Sequence, residues 1–504
     1  MRTIFLRVLE ADDKGRALAE GARAEDGAQG GSRFEVDPAS FASVPRSPFA
    51  YWASERMFSL FRNLDAFQGH ERDVRFGASP KDRFRFVLAN WEVDAAKRAL
   101  LWMPLAKGGK RSPFYADIHL LLRWGNDARE LKAHTAAYRE VRGWGSHWTA
   151  ALNGYELYGR PGLTWTLRTS LGFSMRAMPT GCVFADKGPA AFATGDDGDA
   201  LLALLAVSNS SIFSACLELQ LAAADAAARS YEVGIVQRTP VPEIVEESRC
   251  ALAGLGRRAW SLKRTLDTHA EISHAFTLPA LLQVPGADIE ARVNARSQKL
   301  GEIEDELACI QSEIDERCFD LYEIDEADRR VISDGVGVGT SAVAAIEVVD
   351  DEDDVEAVEA CEGESPQEAA GLAAELVSWA VGVAFGRFDI RLATAEREVP
   401  PEPKPFDPLP ICSPGMLTRN DGFPATDTPD AYPLDWPSDG IMVDDAGQSE
   451  DLVARVRHVF EVVFGANADA WWEDCVQLLG GDLRRWLARD FFACLLYTSD
   501  AADE

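Results

Sequence analysis

The chain has 504 residues, 47% of them hydrophobic, and a formal net charge of −31, so it can form two to four domains but is, as a whole, a poor binder of polyanions. Its nine cysteines are scattered without a CxxC pair or a Cys/His cluster, which argues against structural zinc and against a disulfide framework. No apolar run approaches the ~20 residues that span a bilayer, and the N-terminus does not resemble a signal peptide, so we expect a soluble cytoplasmic protein without a membrane partner.

The first half of the chain has a mixed α/β pattern. Residues 1–48 are weakly patterned, and their Gly/Ala-rich stretch at 20–32 predicts a flexible loop. The sequence SPFAYWASERMFSLFRNL that follows has apolar residues at helical spacing. Strands are predicted in three later segments, DIHLLLRW, LTWTLRTS and GCVFADKG. In LTWTLRTS, Leu163 and Trp165 are expected on one face and Thr164 on the other.

Two apolar helices are predicted within residues 200–222, divided by the polar turn Ser208-Asn209-Ser210-Ser211. SYEVGIVQRTPVPEI then predicts a strand that continues into an extended Pro-x-Pro segment. Residues 246–330 have a helical pattern. A coiled-coil seam is expected there because apolar residues recur every three or four positions, at Leu300, Ile303, Leu307, Ile310 and Ile314. The preceding sequence ALAGLGRRAWSLKRTLDTH is a candidate antiparallel partner.

The remaining sequence divides at an acidic segment. Residues 331–366 are rich in Asp, Glu and Gly and predict a disordered linker. Residues 367–493 contain several apolar helical patterns around a proline-rich stretch and predict a mostly helical domain. The fold class expected for the whole chain is therefore α+β. It combines a mixed α/β domain at 49–245, a helical spacer, the linker and a helical C-terminal domain.

The charge is distributed unevenly. Residues 71–180 hold 18 Lys and Arg against 10 Asp and Glu, a net +8, and six of the 13 tryptophans. Residues 301–370 carry a net −21. Cations in the basic region and shortly after it are candidates for contacts to DNA phosphates or to guanine edges; they are Lys107, Lys110, Arg111, Arg168, Arg176 and Lys187. Three neighbouring aromatic residues are expected either to stack on bases or simply to pack: Trp165, Phe173 and Tyr115.

Motifs for catalysis are not found. SDGVGVGTS at 333–341 resembles a loop that binds S-adenosylmethionine, but a charged helix precedes it and an acidic tract follows, so we interpret it as linker. No Asn/Asp/Ser-Pro-Pro-Tyr/Phe tetrapeptide, GxxxxGK[ST], HExxH or GxSxG occurs. His119 is interpreted as structural. We therefore predict no catalytic, cofactor-binding or metal-binding residues in this chain.

Several ordered strings within residues 40–250 resemble the region downstream of the catalytic domain in BREX-type (PglX-like) adenine-specific DNA methyltransferases of phage defence. They include SPFAYWASERMFSLF, KGGKRSPFYADIHLLLRWGNDARELK, YGRPGLTWTLRTSLGFSMRAMPTGCVFADKGPAAF and LLALLAVSNSSIFSACLELQL. The resemblance implies that residues 49–245 are a target-recognition domain that binds duplex DNA, followed by a helical spacer at 246–330. It also implies other defence-system proteins as partners.

In that family an upstream domain binds S-adenosylmethionine and modifies the adenine. This chain lacks the motifs of that domain, so we expect it to be inactive alone, with no cofactor of its own and with residues 1–48 as the end of a missing upstream region. The last 11 residues, CLLYTSDAADE at 494–504, resemble a translated sequencing adapter and are expected to be an artefact. Two alternatives stay open: a free-standing specificity subunit, and an acidic interaction subunit that does not bind DNA.

Overall fold

The computed structural model describes residues 2–8, 11, 13–23, 33–69, 71–221, 229–333, 365–437 and 440–491. It is a mixed α/β structure, about 49% helical with several small sheets, which confirms the predicted mixture of helices and strands. The strands are β1 (Thr3–Leu6), β2 (Arg33–Val36), β3 (Arg72–Arg75), β4 (Val87–Ala89), β5 (Trp102–Ala106), β6 (Leu120–Arg123), β7 (Gly162–Trp165), β8 (Arg168–Thr169), β9 (Met175–Met178), β10 (Val183–Phe184), β11 (Ala190–Ala193) and β12 (Arg229–Ser230).

The helices are α1 (Lys14–Arg23), α2 (Glu55–Asn63), α3 (Arg83–Phe86), α4 (Ala95–Leu101), α5 (Gly125–Val141), α6 (Gly198–Ser208), α7 (Ser211–Leu221), α8 (Val233–Arg238), α9 (Glu246–Leu266), α10 (Ile289–Leu321), α11 (Glu326–Ser333), α12 (Ser365–Ala384), α13 (Leu452–Phe464), α14 (Ala468–Leu478) and α15 (Leu483–Arg489). Among the described residues, no single helix is long and apolar enough to cross a membrane. Helices α6 and α7 have the length and apolar composition of a membrane span only when taken together, and a 63° bend separates them. Most of their residues are buried.

Two four-stranded sheets form the centre of the mixed region. Their strand orders are β10-β5-β6-β4 and β3-β11-β7-β9, and only the β10–β5 pair is parallel within them. All four residues of β7 are buried. The predicted alternation therefore fails at Thr164, which is 1% exposed, because both faces of this sheet are covered. Its hydroxyl donates to the carbonyl of Pro189 at 2.9 Å, which satisfies the buried polar group.

The first hydrophobic core joins the β3-β11-β7-β9 sheet to α6, α7, α9 and α10. Helices α6 and α9 approach closely at Gly256, where an added Cβ would lie 2.7 Å from the carbonyl oxygen of Leu202. The turn predicted between α6 and α7 is present. There the carboxylate of Asp315 on α10 accepts hydrogen bonds from the backbone N–H of Ser211 at 2.6 Å and from its hydroxyl at 2.9 Å. This contact sets the position of α7 along α10.

A second core contains α12, α13, α14 and α15 together with the start of α10. Of the predicted coiled-coil seam, Ile303, Ile310 and Ile314 are buried in the first core, and Leu307 packs against it.

Two segments lie outside the described residues. Residues 334–364 include most of the predicted linker, and residues 492–504 include the predicted artefact. The division of the chain into domains remains a prediction.

One local prediction is wrong. Residues 233–238 form helix α8 rather than a strand. The reason is tertiary: Val233, Ile235 and Val236 are buried in the first core, which overrides the β-propensity of Val and Ile. In the weakly patterned segment 1–48, most of the predicted flexible loop at 20–32 lies outside the described residues. Strand β1 pairs with β2, and the ring of Phe5 on β1 stacks on Tyr51 with centroids 5.1 Å apart.

Candidate nucleic-acid interface

Five of the six predicted DNA-contacting cations lie around one loop, residues 107–111, which follows β5. The backbone of Lys187 lies against this loop, since a Cβ added to Gly108 would sit 2.7 Å from the carbonyl oxygen of Lys187. The hydroxyl of Thr166 donates to the carbonyl of Gly109 at 2.7 Å, and Arg168 is two residues further along. We call residues 107–111, Arg168 and Lys187 the cationic loop cluster.

Most side chains of the cationic loop cluster face solvent. Lys110, Arg111, Arg168 and Lys187 are exposed, and Lys107 is half-buried. Arg168 lies on the short strand β8, opposite Ser230 of β12. Long cationic side chains that are exposed and come from three separate segments form the kind of surface that contacts nucleic-acid phosphates.

The sixth candidate, Arg176 on β9, is only 5% exposed. Its guanidinium donates to the carbonyl oxygens of Lys110 at 3.1 Å and of Gly108, and to the hydroxyl of Thr166 at 3.3 Å. In this conformation Arg176 therefore lies beneath the loop and fixes its backbone, whereas the sequence predicted that it would reach a phosphate or a guanine edge.

One further cation adjoins the cluster and was missed in the sequence. Burial lowers the pKa of Lys263 on α9, and the nearby positive charge of Arg111 lowers that pKa further. The charge of Arg111 thus acts on Lys263 although 152 positions separate the two residues in the sequence. Lys263 belongs to a basic run on a helix, RRAWSLKR, and only the tertiary structure brings that run to the loop.

The aromatic candidates all serve packing. Trp165 is fully buried, and its indole N–H donates to the carbonyl of Tyr231 at 2.9 Å. Phe173 packs on the Tyr231 ring with centroids 5.2 Å apart. The hydroxyl of Tyr115 donates to Asp267 at 2.9 Å. Of the two expectations for these three rings, packing is the one that the structure supports.

Behind the loop is a cavity of about 40 Å³, lined in part by Lys107, Asp117, His119 and Arg176. Such a volume has room for ordered water but not for a nucleoside. The His119 ring stacks on Trp91 with centroids 5.7 Å apart. In the part of the chain that the structure describes, no group of His, Cys, Asp or Glu side chains is arranged to hold a metal ion.

No protein-family model matches the chain, but two curated proteins do. It is similar to the adenine-specific methyltransferase BrxX of Escherichia coli O9:H4 (strain HS), with 30% identity over 177 residues, covering 34% of this chain and 13% of that protein. It is also similar to the adenine-specific methyltransferase PglX of Lacticaseibacillus casei (strain Zhang), with 25% identity over 312 residues, covering 56% of this chain and 24% of that protein.

The matched regions thus span about a quarter or less of each relative's length. Both relatives carry the same name, adenine-specific methyltransferase, and one of them is aligned across more than half of this chain. This is the relationship that the ordered strings of the sequence predicted. The chain is therefore similar to a part of two adenine-specific methyltransferases, BrxX and PglX, in agreement with the predicted resemblance to the PglX-like, BREX-type family.

Proposed function

We propose that this chain is the sequence-recognition part of a site-specific adenine-N6 DNA methyltransferase of phage defence, and that it binds duplex DNA through the cationic loop cluster. The main support is the convergence of the loop 107–111, Arg168 and Lys187 on one exposed surface in a chain whose net charge is −31. Clustered cations attract phosphates locally even where the total charge is negative.

The cations of this cluster have different roles in the proposal. Lys107, Lys110, Arg111 and Lys187 contact backbone phosphates and so set the register of the protein on the duplex. Arg168, exposed on β8, is the candidate for bidentate recognition of a guanine edge. This chain contains no Asn/Asp/Ser-Pro-Pro-Tyr/Phe tetrapeptide for an amine methyltransferase, so we expect the chain to bind DNA without methylating it.

The test is a fluorescence titration of a labelled duplex with the full chain at several salt concentrations. We expect salt-sensitive binding, because each neutralised phosphate contributes about −0.9 to the slope of log K against log salt. The double variant Lys110→Ala/Arg111→Ala should bind all sequences more weakly and with a shallower slope. Arg330→Ala removes an exposed cation from α11 and is the matched control, which should bind as the wild type does.

A wild-type chain that shows no salt-sensitive binding to any duplex would overturn the proposal. It would favour an acidic interaction subunit that docks proteins instead. If Arg330→Ala, which removes one cation, lost half as much binding free energy as the double variant, which removes two, the effect would belong to total charge and not to the cationic loop cluster.

A further inference from the structure

A turn beside the cationic loop cluster carries an exposed leucine. Residues 169–172 form this turn between β8 and β9, and the side chain of Leu171 in it is 54% exposed. The guanidinium of Arg111 lies against the turn, because a Cβ added to Gly172 would be 3.9 Å from the Nε of Arg111. Exposed Arg168 is three residues before Leu171 in the chain. Leu171 is therefore an apolar side chain within the proposed DNA-binding surface.

Both ends of the 169–172 turn are held by the fold. Thr169 pairs with strand β12, and Phe173 is 6% exposed and packs on the ring of Phe213 with centroids 5.8 Å apart. Within the turn, the backbone N–H of Leu171 donates to the hydroxyl of Thr169 at 3.1 Å. Gly172 has a φ of +92°, which glycine adopts without a steric cost. The turn therefore presents Leu171 in an ordered conformation, so that little entropy is lost when the leucine is bound.

The position of Leu171 is more informative than its exposure. Single exposed apolar residues are common on protein surfaces. Cations such as Arg111 and Arg168, however, attract the phosphates of a duplex, and the phosphates themselves offer nothing that an apolar side chain can contact. The apolar surface of DNA next to its phosphates belongs to the bases. A leucine held among these cations is therefore placed to contact bases.

We propose that Leu171 is a wedge that inserts between two adjacent base pairs of the bound duplex, while Arg111 holds a neighbouring phosphate. This inference rests on the proposed function and names a further residue that contacts the DNA. Leucine is among the apolar side chains that DNA-binding proteins insert at a base step, which unstacks the step and kinks the duplex. Insertion buries the exposed leucine against the two base faces and so offsets part of the cost of unstacking.

Four variants separate a wedge from a general effect of the surface. Leu171→Ala removes the wedge and keeps every charge. Leu171→Met keeps a long apolar side chain and should rescue the function. Leu171→Lys adds a cation, so it should bind intact duplexes of any sequence at least as tightly as Leu171→Ala does. Leu100→Ala is the matched control, because it removes a leucine that is 79% exposed on α4.

The first measurement uses the full chain and the duplex that it prefers in a randomised pool. Each nucleotide of that duplex is replaced in turn by an abasic site. The wild type should bind one of these duplexes roughly tenfold or more tightly than the intact duplex, because the base step there no longer has to be unstacked. Leu171→Met and Leu100→Ala should keep this gain. Leu171→Ala and Leu171→Lys should lose it.

The second measurement places the fluorescent base 2-aminopurine beside the position found in this way, in an otherwise intact duplex. The fluorescence of 2-aminopurine rises when the base is unstacked. Addition of the wild type or of Leu171→Met should therefore raise the signal, whereas Leu171→Ala at saturation should leave it unchanged.

The outcomes separate the wedge from DNA binding itself. A wild type that binds no duplex would overturn both proposals. Binding without a gain at any abasic position, or a gain that Leu171→Ala retains, would overturn the wedge and leave DNA binding in place. If replacement of one thymine by uracil abolished the difference between the wild type and Leu171→Ala, the leucine would contact a thymine methyl group and the wedge would be wrong.

Discussion

The imidazole Nδ1 of His274 lies 3.0 Å from both carboxylate oxygens of Asp117. The two side chains are 8% and 12% exposed, and the Nε2 of His274 lies 3.2 Å from the side-chain amide of Asn90. Burial alone would raise the pKa of Asp117, but the charge and hydrogen bonds of His274 lower it. The pair ties the loop before β6 to the segment after α9, at the back of the candidate interface.

Replacement of His274 by alanine should therefore destabilise the protein. It leaves the carboxylate of Asp117 buried without its partner, a change that typically costs about 3–5 kcal/mol. Urea unfolding at pH 7 measures the loss. The double variant Asp117→Asn/His274→Ala should lose less than the two single variants together, because the uncompensated charge is gone. Additive losses would show that the pair does not interact in solution.

The same pair predicts a response to acid. The pKa of Asp117 is lower in the folded state than in the unfolded chain, where it is about 3.9. Its contribution to stability is therefore present above that value and is lost as the pH falls through the folded pKa. Asp117→Asn should remove this component, so the difference in unfolding free energy between wild type and variant should shrink below pH 4. A constant difference would contradict the assignment.

Glu271 should make the stability of the fold depend on pH in the direction opposite to that of Asp117, and near neutral pH. Burial raises the pKa of Glu271 to about 7, and Glu375 adds to this, whereas Arg387 and a hydrogen bond from Ser378 lower it. The Nη1 of Arg387 lies 4.0 Å from the Oε2 of Glu271. The Nδ1 of His269 lies 3.5 Å from the Oε2 of Glu375. Because the folded state holds the proton more tightly than the unfolded chain, stability should be largest below pH ~4.3 and should fall as the pH rises through 7.

Glu271→Gln removes this ionisation. It should raise the free energy of unfolding at pH 8 relative to the wild type, by up to roughly 1.4 kcal/mol for each unit of pKa shift, and should have little effect at about pH 4, below the unfolded pKa. Thermal unfolding at the two pH values measures it, with Glu313→Gln as an exposed control on α10. An equal change at both pH values would contradict the raised pKa.

Arg168 should affect sequence preference more than general affinity. If its guanidinium contacts a guanine edge, Arg168→Ala should cost roughly 1–3 kcal/mol at one position of the target site and should relax the base requirement there. Binding of the wild type and the variant to a pool of randomised duplexes, read by sequencing, measures this. A uniform loss across all sequences would reassign Arg168 to a phosphate.

The acidic segment 333–366 should limit non-specific binding. It carries 11 Asp and Glu and no Lys or Arg, so it repels a nearby duplex at low ionic strength. Its deletion should raise affinity for unrelated DNA at low salt, and this gain should fade as the salt concentration rises. Unchanged affinity at low salt would show that the segment stays away from the DNA.

Local patterns in the sequence were sufficient to predict the long helices. The polar turn between α6 and α7 and the apolar spacing along α10 are features of contiguous residues, and both are found in the structure. Arg176 could not be placed in this way. It lies in the strand MRAM, where a single cation among apolar residues predicts an exposed side chain. The side chain is buried only because the distant loop 107–111 covers it. The position of Lys263 beside Arg111 likewise depends on how α9 packs.

Helix α10 extends without interruption through 33 residues, about 50 Å at 1.5 Å per residue. Ile289 and Val293 at its start are buried in the second core, whereas Ile310 and Ile314 near its end are buried in the first. One stiff rod is thus anchored at both ends. A rotation of the C-terminal helices about the axis of α10 would therefore be transmitted to α7, which packs on α10, and through the first core to the sheet that contains Arg176. The two cores cannot reorient relative to each other unless α10 bends.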